Sequence, residues 1–232
     1  MLNHRSTEKE LIDLGPNYYS PEEYMHCLRM LFRVNKIFGF FHGTKKILKN
    51  FSETSSLLDI GCGGGLFLLH LAKRFPTMQF MGIDISPDAI KIATQELQEW
   101  KKNEVINNVS FKLQPNTTLD FPDKNSDIIL ATLVCHHLED GELINFLESM
   151  LKISRKAVII NDLHRHAISH WFYKWISPIL FRNRLISHDG LISIRRGFTR
   201  KEWQSLLQKA GITDYQISWC FPFRWRVILW KK

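Results

Sequence analysis

An apolar stretch, Leu57-Leu58-Asp59-Ile60, runs straight into Gly61-Cys62-Gly63-Gly64-Gly65, and this junction constrains the fold more than any other feature of the chain. Glycine reaches φ > 0 and places no Cβ between a ligand and the main chain. A strand-to-helix turn needs fewer than four glycines in five positions, so the loop reads as a binding loop whose main-chain amides are bared beside Cys62. A helix from about Leu66 to Arg74 would aim its N-terminal amides at the same point. A second apolar run ends on Asp84, where a carboxylate at a strand's carboxyl end can accept both hydroxyls of a ribose. Ser86 followed by Pro87 caps the next helix, which leaves Asp84 for a ligand. A dinucleotide-binding loop would place its third glycine at position 66, and the residue there is Leu66.

The middle of the chain alternates short apolar runs with helical patterns, which is how a parallel sheet covered on both faces is written. Strands are predicted at about Ser56 to Ile60, Gln79 to Asp84, Val109 to Leu113, Asp127 to Ala131 and Lys156 to Asp162. Helices are predicted near Leu66 to Arg74, Pro87 to Lys102, Gly141 to Leu151 and Arg200 to Lys209. Two more strand patterns, Thr213 to Trp219 and Arg224 to Trp230, read as a terminal hairpin joined by Cys220 to Phe223. Ahead of the sheet, an apolar helix from Pro21 to about Phe40 reads as a cap over the site or as a helix that merely packs on the sheet.

LLDIGCGGG with Asp84 downstream resembles the first motif of class I S-adenosylmethionine-dependent methyltransferases. The segment SDIILATLVCHHLED, residues 126–140, is similar to the fourth-strand motif of their UbiE-like (type 11) small-molecule group. The resemblance spans about Leu57 to Trp230. It implies an α/β Rossmann-like doubly wound sheet of seven strands, mostly parallel, closed by an antiparallel hairpin. It divides the chain into an N-terminal helical cap, 1–50, and a methyltransferase domain, 51–232, with a helical lid inserted at about 163–198. It also implies S-adenosylmethionine as cofactor. Asp59, Gly61, Cys62, Gly63 and Gly65 would hold its methionine end and Asp84 its ribose, with Ile85 and Thr132 beside them. After the third strand the family's acidic residue is missing, and Gln114 or Asn116 would meet the adenine. His137 is commonly structural in that group.

Net charge is +8, and all of the excess lies in the last third, a pattern that attracts an anionic substrate, carrier, membrane surface or nucleic acid. Four scattered cysteines, Cys27, Cys62, Cys135 and Cys220, indicate neither a zinc site nor a disulfide framework. The charged N-terminus does not read as a signal peptide, and no segment approaches the ~18 apolar residues of a membrane span. The expectation is a cytoplasmic chain, with membrane association left open. Ile168, Trp171, Phe172, Trp175, Ile176 and Ile179 fall at helical spacing, ahead of Arg182, Arg184, His188, Arg195, Arg196 and Arg200. That helix reads as a lid over a greasy substrate, as core, or as a foot on an anionic bilayer.

Methyl transfer to oxygen or activated carbon asks for alignment and for a base near neutral pKa. Asn161-Asp162-Leu163-His164-Arg165-His166 follows the fifth strand at the sheet's ligand edge. His164 and His166 are therefore the candidate bases and Arg165 the candidate anion clamp, the alternative being a helix cap at Asp162 with the histidines on the lid surface; no metal site is marked. The function expected is methylation of an oxygen or ring carbon of an apolar aromatic, quinone-like or lipid-tailed small molecule. RNA or protein methylation through the basic last third, and a non-catalytic S-adenosylmethionine-binding adaptor at a membrane surface, stand as alternatives. A motif of the N-P-P-Y type is absent, and nucleic acid is the less favoured partner.

Overall fold

The computed structural model describes residues 2–51, 55–116, 118–181 and 183–231. Its centre is a seven-stranded sheet: β1 (Ser56–Ile60), β2 (Gln79–Asp84), β3 (Val109–Leu113), β4 (Ser126–Thr132), β5 (Ser154–Leu163), β6 (Tyr215–Cys220) and β7 (Arg224–Trp230), in the order β3-β2-β1-β4-β5-β7-β6. β1 to β5 pair in parallel, β7 runs antiparallel to β5, and β6 pairs antiparallel with β7. Strand order reverses between β1 and β4, so a crevice opens at their carboxyl ends. Asp59, Gly61 and Thr132 lie at that edge.

The period of two in the central strands sorts their side chains. Leu58, Ile60, Ile129, Ala131, Val158 and Ile160 face α5 (Asp140–Ile153) and α8 (Arg200–Lys209). Leu57, Ile128, Leu130 and Ile159 face the opposite layer, which contains α3 (Leu66–Arg74) and Leu48 of α2 (Phe40–Leu48). Each of these buried Leu, Ile and Val side chains contributes about 1.5–3 kcal/mol of transfer free energy, and Ala131 less. With both faces covered, the strands carry almost uninterrupted apolar runs. α4 (Pro87–Lys101) starts at Ser86, whose hydroxyl accepts from the Ala89 amide at 3.2 Å, as its position before Pro87 predicts.

Several boundaries differ from the expectation, β6 among them, which runs from Tyr215 to Cys220 and not from Thr213 to Trp219. The first helix, α1 (Pro21–Ile37), stops before Phe40 because Gly39 takes φ +70° and a new helix begins. β5 runs one residue further, to Leu163, in register with β7. The stretch between β5 and α8 is two helices, α6 (Ala167–Leu180) and α7 (Arg184–Arg196), the second capped by Asn183, which accepts from Ile186 N at 3.2 Å. Arg182 lies outside the described residues. Finally, the chain before α1 holds two short 3-10 turns, Leu11–Leu14 and Pro16–Tyr18, and lies along α7: the Asp189 carboxylate accepts from the amides of Leu11 and Ile12 at 3.0 and 3.2 Å.

Candidate active site

A cavity of about 1310 Å³ occupies the crevice, above the ~300–1,000 Å³ usual for a single small ligand. All ten residues expected at the cofactor line it: Asp59, Gly61, Cys62, Gly63, Gly65, Asp84, Ile85, Gln114, Asn116 and Thr132.

The glycine loop is built differently from the expectation of bared amides. Gly61 N and Cys62 N both donate to Ile83 O (2.8 and 3.0 Å), and Gly65 N donates to Cys62 O at 3.0 Å. Gly63 N donates to the Asp84 carboxylate at 2.8 Å. These four amides are committed inside the protein, which corrects that part of the reading. What the glycines supply is space and handedness. Gly61, Gly63 and Gly65 sit at φ +71°, +53° and +71°, and a Cβ on Gly61 would come within 2.4 Å of Val134 Cγ2.

Asp84 is likewise held rather than free, since its second oxygen accepts from Ser86 N at 2.9 Å. A carboxylate offers about four acceptor positions, so two remain for ribose hydroxyls. Burial pushes the Asp84 carboxyl up, the Ser86 and Gly63 amides pull it back, and it stays above its ordinary value.

Asp59 shows most directly that something is meant to bind. It is buried, its Oδ1 has no hydrogen-bond partner, and burial with the nearby Asp84 charge lifts its carboxyl well above the ordinary range. A buried acceptor left unmet is costly, and a cationic ligand group would relieve it. In its chemistry this unmet oxygen suits a cationic group such as the ammonium of a sulfonium amino-acid nucleoside. Gln114 N donates to Asp84 O at 2.9 Å, and its side chain is turned to Thr118 O at 2.9 Å. Thr132 Oγ1 accepts from Asn161 Nδ2 at 3.3 Å.

The expected catalytic group is not brought together at the cavity. Arg165 is buried and committed to Leu2 O (3.0 Å), Gly197 O (2.6 Å) and Glu202, so it acts as an internal tie and not as an anion clamp. His166 caps α6, accepting from Ile168 N at 3.2 Å, and stacks on Phe223 with ring centres 5.1 Å apart. His164 accepts from Trp219 Nε1 at 3.2 Å and sits edge-on to Trp225; burial, then His166 and Arg165, hold its pKa below the usual imidazole value. None of the three lines the cavity.

Further polar groups of the cavity wall come instead from residues that the sequence left unassigned or marked as structural. Glu10, Asp13, His136, His137 and Arg224 line the cavity. His136 Nδ1 meets Asp162 at 2.8 Å and its Nε2 faces Glu10 at 3.5 Å. Burial alone would lower the His136 pKa, but the charges and hydrogen bonds of Asp162 and Glu10 overcome it and raise the pKa to about 9. Glu10, His136 and His137 lie close enough to gather a cation, yet an imidazolium held between two carboxylates has no lone pair to offer one. His137 Nδ1 bonds Asp13 at 2.8 Å. Burial pushes the Asp13 carboxyl up, and the His137 contact then brings it below its ordinary value. Glu10 and Asp13 carry no motif that could have identified them.

Comparisons with known proteins agree with this geometry. Residues 57–157 match the family model described as "Methyltransferase domain". An uncharacterised methyltransferase of Schizosaccharomyces pombe is 35% identical over 96 residues, 40% of this chain and 34% of that protein. Ajmaline N-methyltransferase of Rauvolfia serpentina is 34% identical over 113 residues, 47% of this chain and 37% of that protein. The chain thus spans about a third of the length of these curated relatives. In fold, it superposes on human N-acetylserotonin methyltransferase with a TM-score of 0.65 at 17% identity, covering 92% of this chain and 57% of that one. A methyltransferase of Aquifex aeolicus gives 0.61 at 19% identity, covering 81% and 89%.

Proposed function

From residues 57–157 as a methyltransferase domain of the S-adenosylmethionine-dependent class, we propose that the chain methylates an oxygen or ring carbon of an apolar small molecule: aromatic, quinone-like or lipid-tailed. One observation carries this reading: the glycine loop and Asp84 share a single cavity, largely walled by apolar side chains such as Phe38, Phe172, Ile176 and Leu180, with the unmet oxygen of Asp59. The UbiE-like assignment rests on the segment 126–140, and the division into a 1–50 cap and a 51–232 domain is part of the same proposal. The cavity is enclosed by α1, α6 and the β6–β7 turn, which favours a small acceptor over RNA or a protein segment. That choice leaves the basic surface for another role.

The bound cofactor supplies an electrophilic methyl on a sulfonium. The protein's contribution is seating and proton handling. Asp59 would take the ammonium end, the two spare acceptor positions of Asp84 would take ribose hydroxyls, and the apolar wall would exclude water and align the acceptor. Proton removal falls to His137. A carboxylate can only accept, so Nδ1 carries the proton that bonds Asp13, and the lone pair of the neutral ring sits on Nε2. This pairing resembles the base–orienter arrangement of general-base catalysis.

Calorimetry with S-adenosylmethionine and S-adenosylhomocysteine is the direct test, followed by methyl transfer to a panel of phenols, quinols and RNA. Binding of both nucleosides and turnover on phenols or quinols are expected. Binding of neither removes the reading, and turnover on RNA alone replaces it with the nucleic-acid alternative.

A further inference from the structure

Arg224, at the start of β7, lines the same cavity and is a charge without a counter-charge. Its Nη1 is enclosed with no hydrogen-bond partner. Nη2 reaches only the Asn35 amide oxygen, at 3.4 Å, and the guanidinium lies 4.6 Å over the ring of Phe40. Asp162 attracts it but is already bonded to His136 and to its neighbour's amide, Leu163 N. Among the described residues no carboxylate forms an ion pair with it. Burial pulls its pKa down to about 10. Arg224 as a whole is half-buried, and a guanidinium with a buried donor left unmet is unfavourable unless an anion completes it, for which Arg's planar fork suits a carboxylate or phenolate.

We propose that Arg224 is an anion subsite of the cavity that anchors a negatively charged oxygen of the acceptor, a phenolate or carboxylate. That the anion belongs to the methyl acceptor rests on the methyl-transfer reading; that the cavity takes an anion there does not. The test is calorimetry with para-octylbenzoate and its neutral methyl ester, on wild type, Arg224→Gln and Arg224→Lys. The wild type should bind the acid at least about tenfold tighter than the ester, as a charge-assisted hydrogen bond implies. Arg224→Gln should erase that preference while ester and S-adenosylhomocysteine affinity hold, and Arg224→Lys should keep part of it. No acid preference in the wild type, or an undiminished one in Arg224→Gln, overturns the proposal. Acid preference without nucleoside binding would sink the methyl-transfer reading alone.

A separate observation concerns the cavity's rim. Residues 24–52, 163–188 and 215–232 contain 14 of the 31 Lys and Arg of the chain and none of its 23 Asp and Glu. These three segments meet one another: His166 stacks on Phe223, and Arg224 on Phe40. They also carry exposed apolar side chains that line the cavity mouth, Phe38, Ile168, Phe172, Leu180 and Phe221. Beside these, α6 turns Trp171, Trp175 and Ile179 to solvent, 62%, 60% and 81% exposed, with Lys174 among them. Arg29, Arg165 and Arg184 are paired with Glu96, Glu202 and Glu23 of neighbouring segments, and the rim that remains, apolar with Lys174 among its tryptophans, matches the interface of a bilayer with anionic headgroups, where Trp and Lys are at home.

We infer that this rim docks on anionic phospholipid, so that a lipid-tailed acceptor enters the cavity from the bilayer. Co-sedimentation with vesicles of phosphatidylcholine plus phosphatidylglycerol, against phosphatidylcholine alone, tests it. The wild type should sediment with the mixed vesicles and be released by salt. A triple variant, Trp171→Ser, Trp175→Ser and Ile179→Ser, should bind at least about tenfold more weakly, given ~1.5–3 kcal/mol per large apolar side chain. Because those residues do not line the cavity, its S-adenosylhomocysteine affinity should be unchanged. Failure of the wild type to sediment, equal sedimentation of the triple variant, or a wild-type dimer that the triple variant breaks apart would overturn the inference.

Discussion

Asp59 sits between two opposing demands, and its substitution separates them. A carboxyl whose folded pKa is raised destabilises the empty protein once pH exceeds the ordinary carboxylate range, because the unfolded chain ionises first. Asp59→Asn should therefore melt no lower than wild type without ligand at neutral pH. The same change should weaken S-adenosylhomocysteine by about 10- to 150-fold, the equivalent of a hydrogen bond to a charged group at ~1.5–3 kcal/mol. The sign of the pH dependence follows: wild-type affinity climbs as pH rises through the raised Asp59 pKa, and calorimetry on the Asn variant should show that climb flattened. Gly61→Ala tests the shape of the loop, since its new Cβ meets Val134 at 2.4 Å from a left-handed backbone. A melting temperature and nucleoside affinity equal to wild type would contradict that account. His137→Gln should lower kcat by about 10²–10⁴-fold, the range for general-base catalysis, with nucleoside affinity intact. That the ten residues expected at the cofactor would share one cavity was legible in the sequence because strand, loop and acid follow one another within local pattern. The His137–Asp13 pairing, on which the proposed base rests, was not legible, since the two residues lie 124 positions apart.

At the scale of elements, the strands declared themselves through their apolar runs, and all seven overlap the expected segments, with ends shifted by one or two residues in β4, β5 and β6. The hydrogen-bond ladder then adds what pattern omits, such as the extension of β5 to Leu163 opposite Arg224. The histidines after β5 misled because position at a sheet edge does not fix direction: His164 and His166 turn toward Trp219, Trp225 and Phe223. The links between elements, by contrast, are ionic and invisible locally. Glu10, ahead of α1, and Asp162, on β5, hold His136 between them, with His136 protonated up to about pH 9. A raised histidine pKa contributes stability that is complete below its unfolded value of about 6.5 and is lost as pH rises through about 9. The wild-type melting temperature should fall between those limits more steeply than that of His136→Asn. Parallel curves would mean that the triad does not titrate as a unit.

For the whole molecule, the basic excess and the site turn out to be one design seen from two sides: acids are withheld from the segments that rim the cavity, and the acids that do enter it come from elsewhere in the chain. Glu10 and Asp13 arrive on a segment with little regular structure of its own, so their position depends on what holds that segment down. Asp189 of α7 does so through the amides of Leu11 and Ile12, while Ser193 donates to Glu10 at 2.7 Å. Asp189 is not in the cavity wall, which makes it a handle on the site from outside. Asp189→Ser should loosen residues 2–13, lowering kcat by about tenfold through misplacement of Asp13, since small displacements of catalytic groups are costly. Hydrogen exchange should rise at Leu11 and Ile12 while the amides of β1 and β4 stay protected. Nucleoside affinity should hold, because the loop at 61–65 and Asp84 belong to the sheet edge. Unchanged turnover with faster exchange at Leu11 would show that the N-terminal segment merely covers the cavity, and the proton would then have to leave by a route that does not involve Asp13.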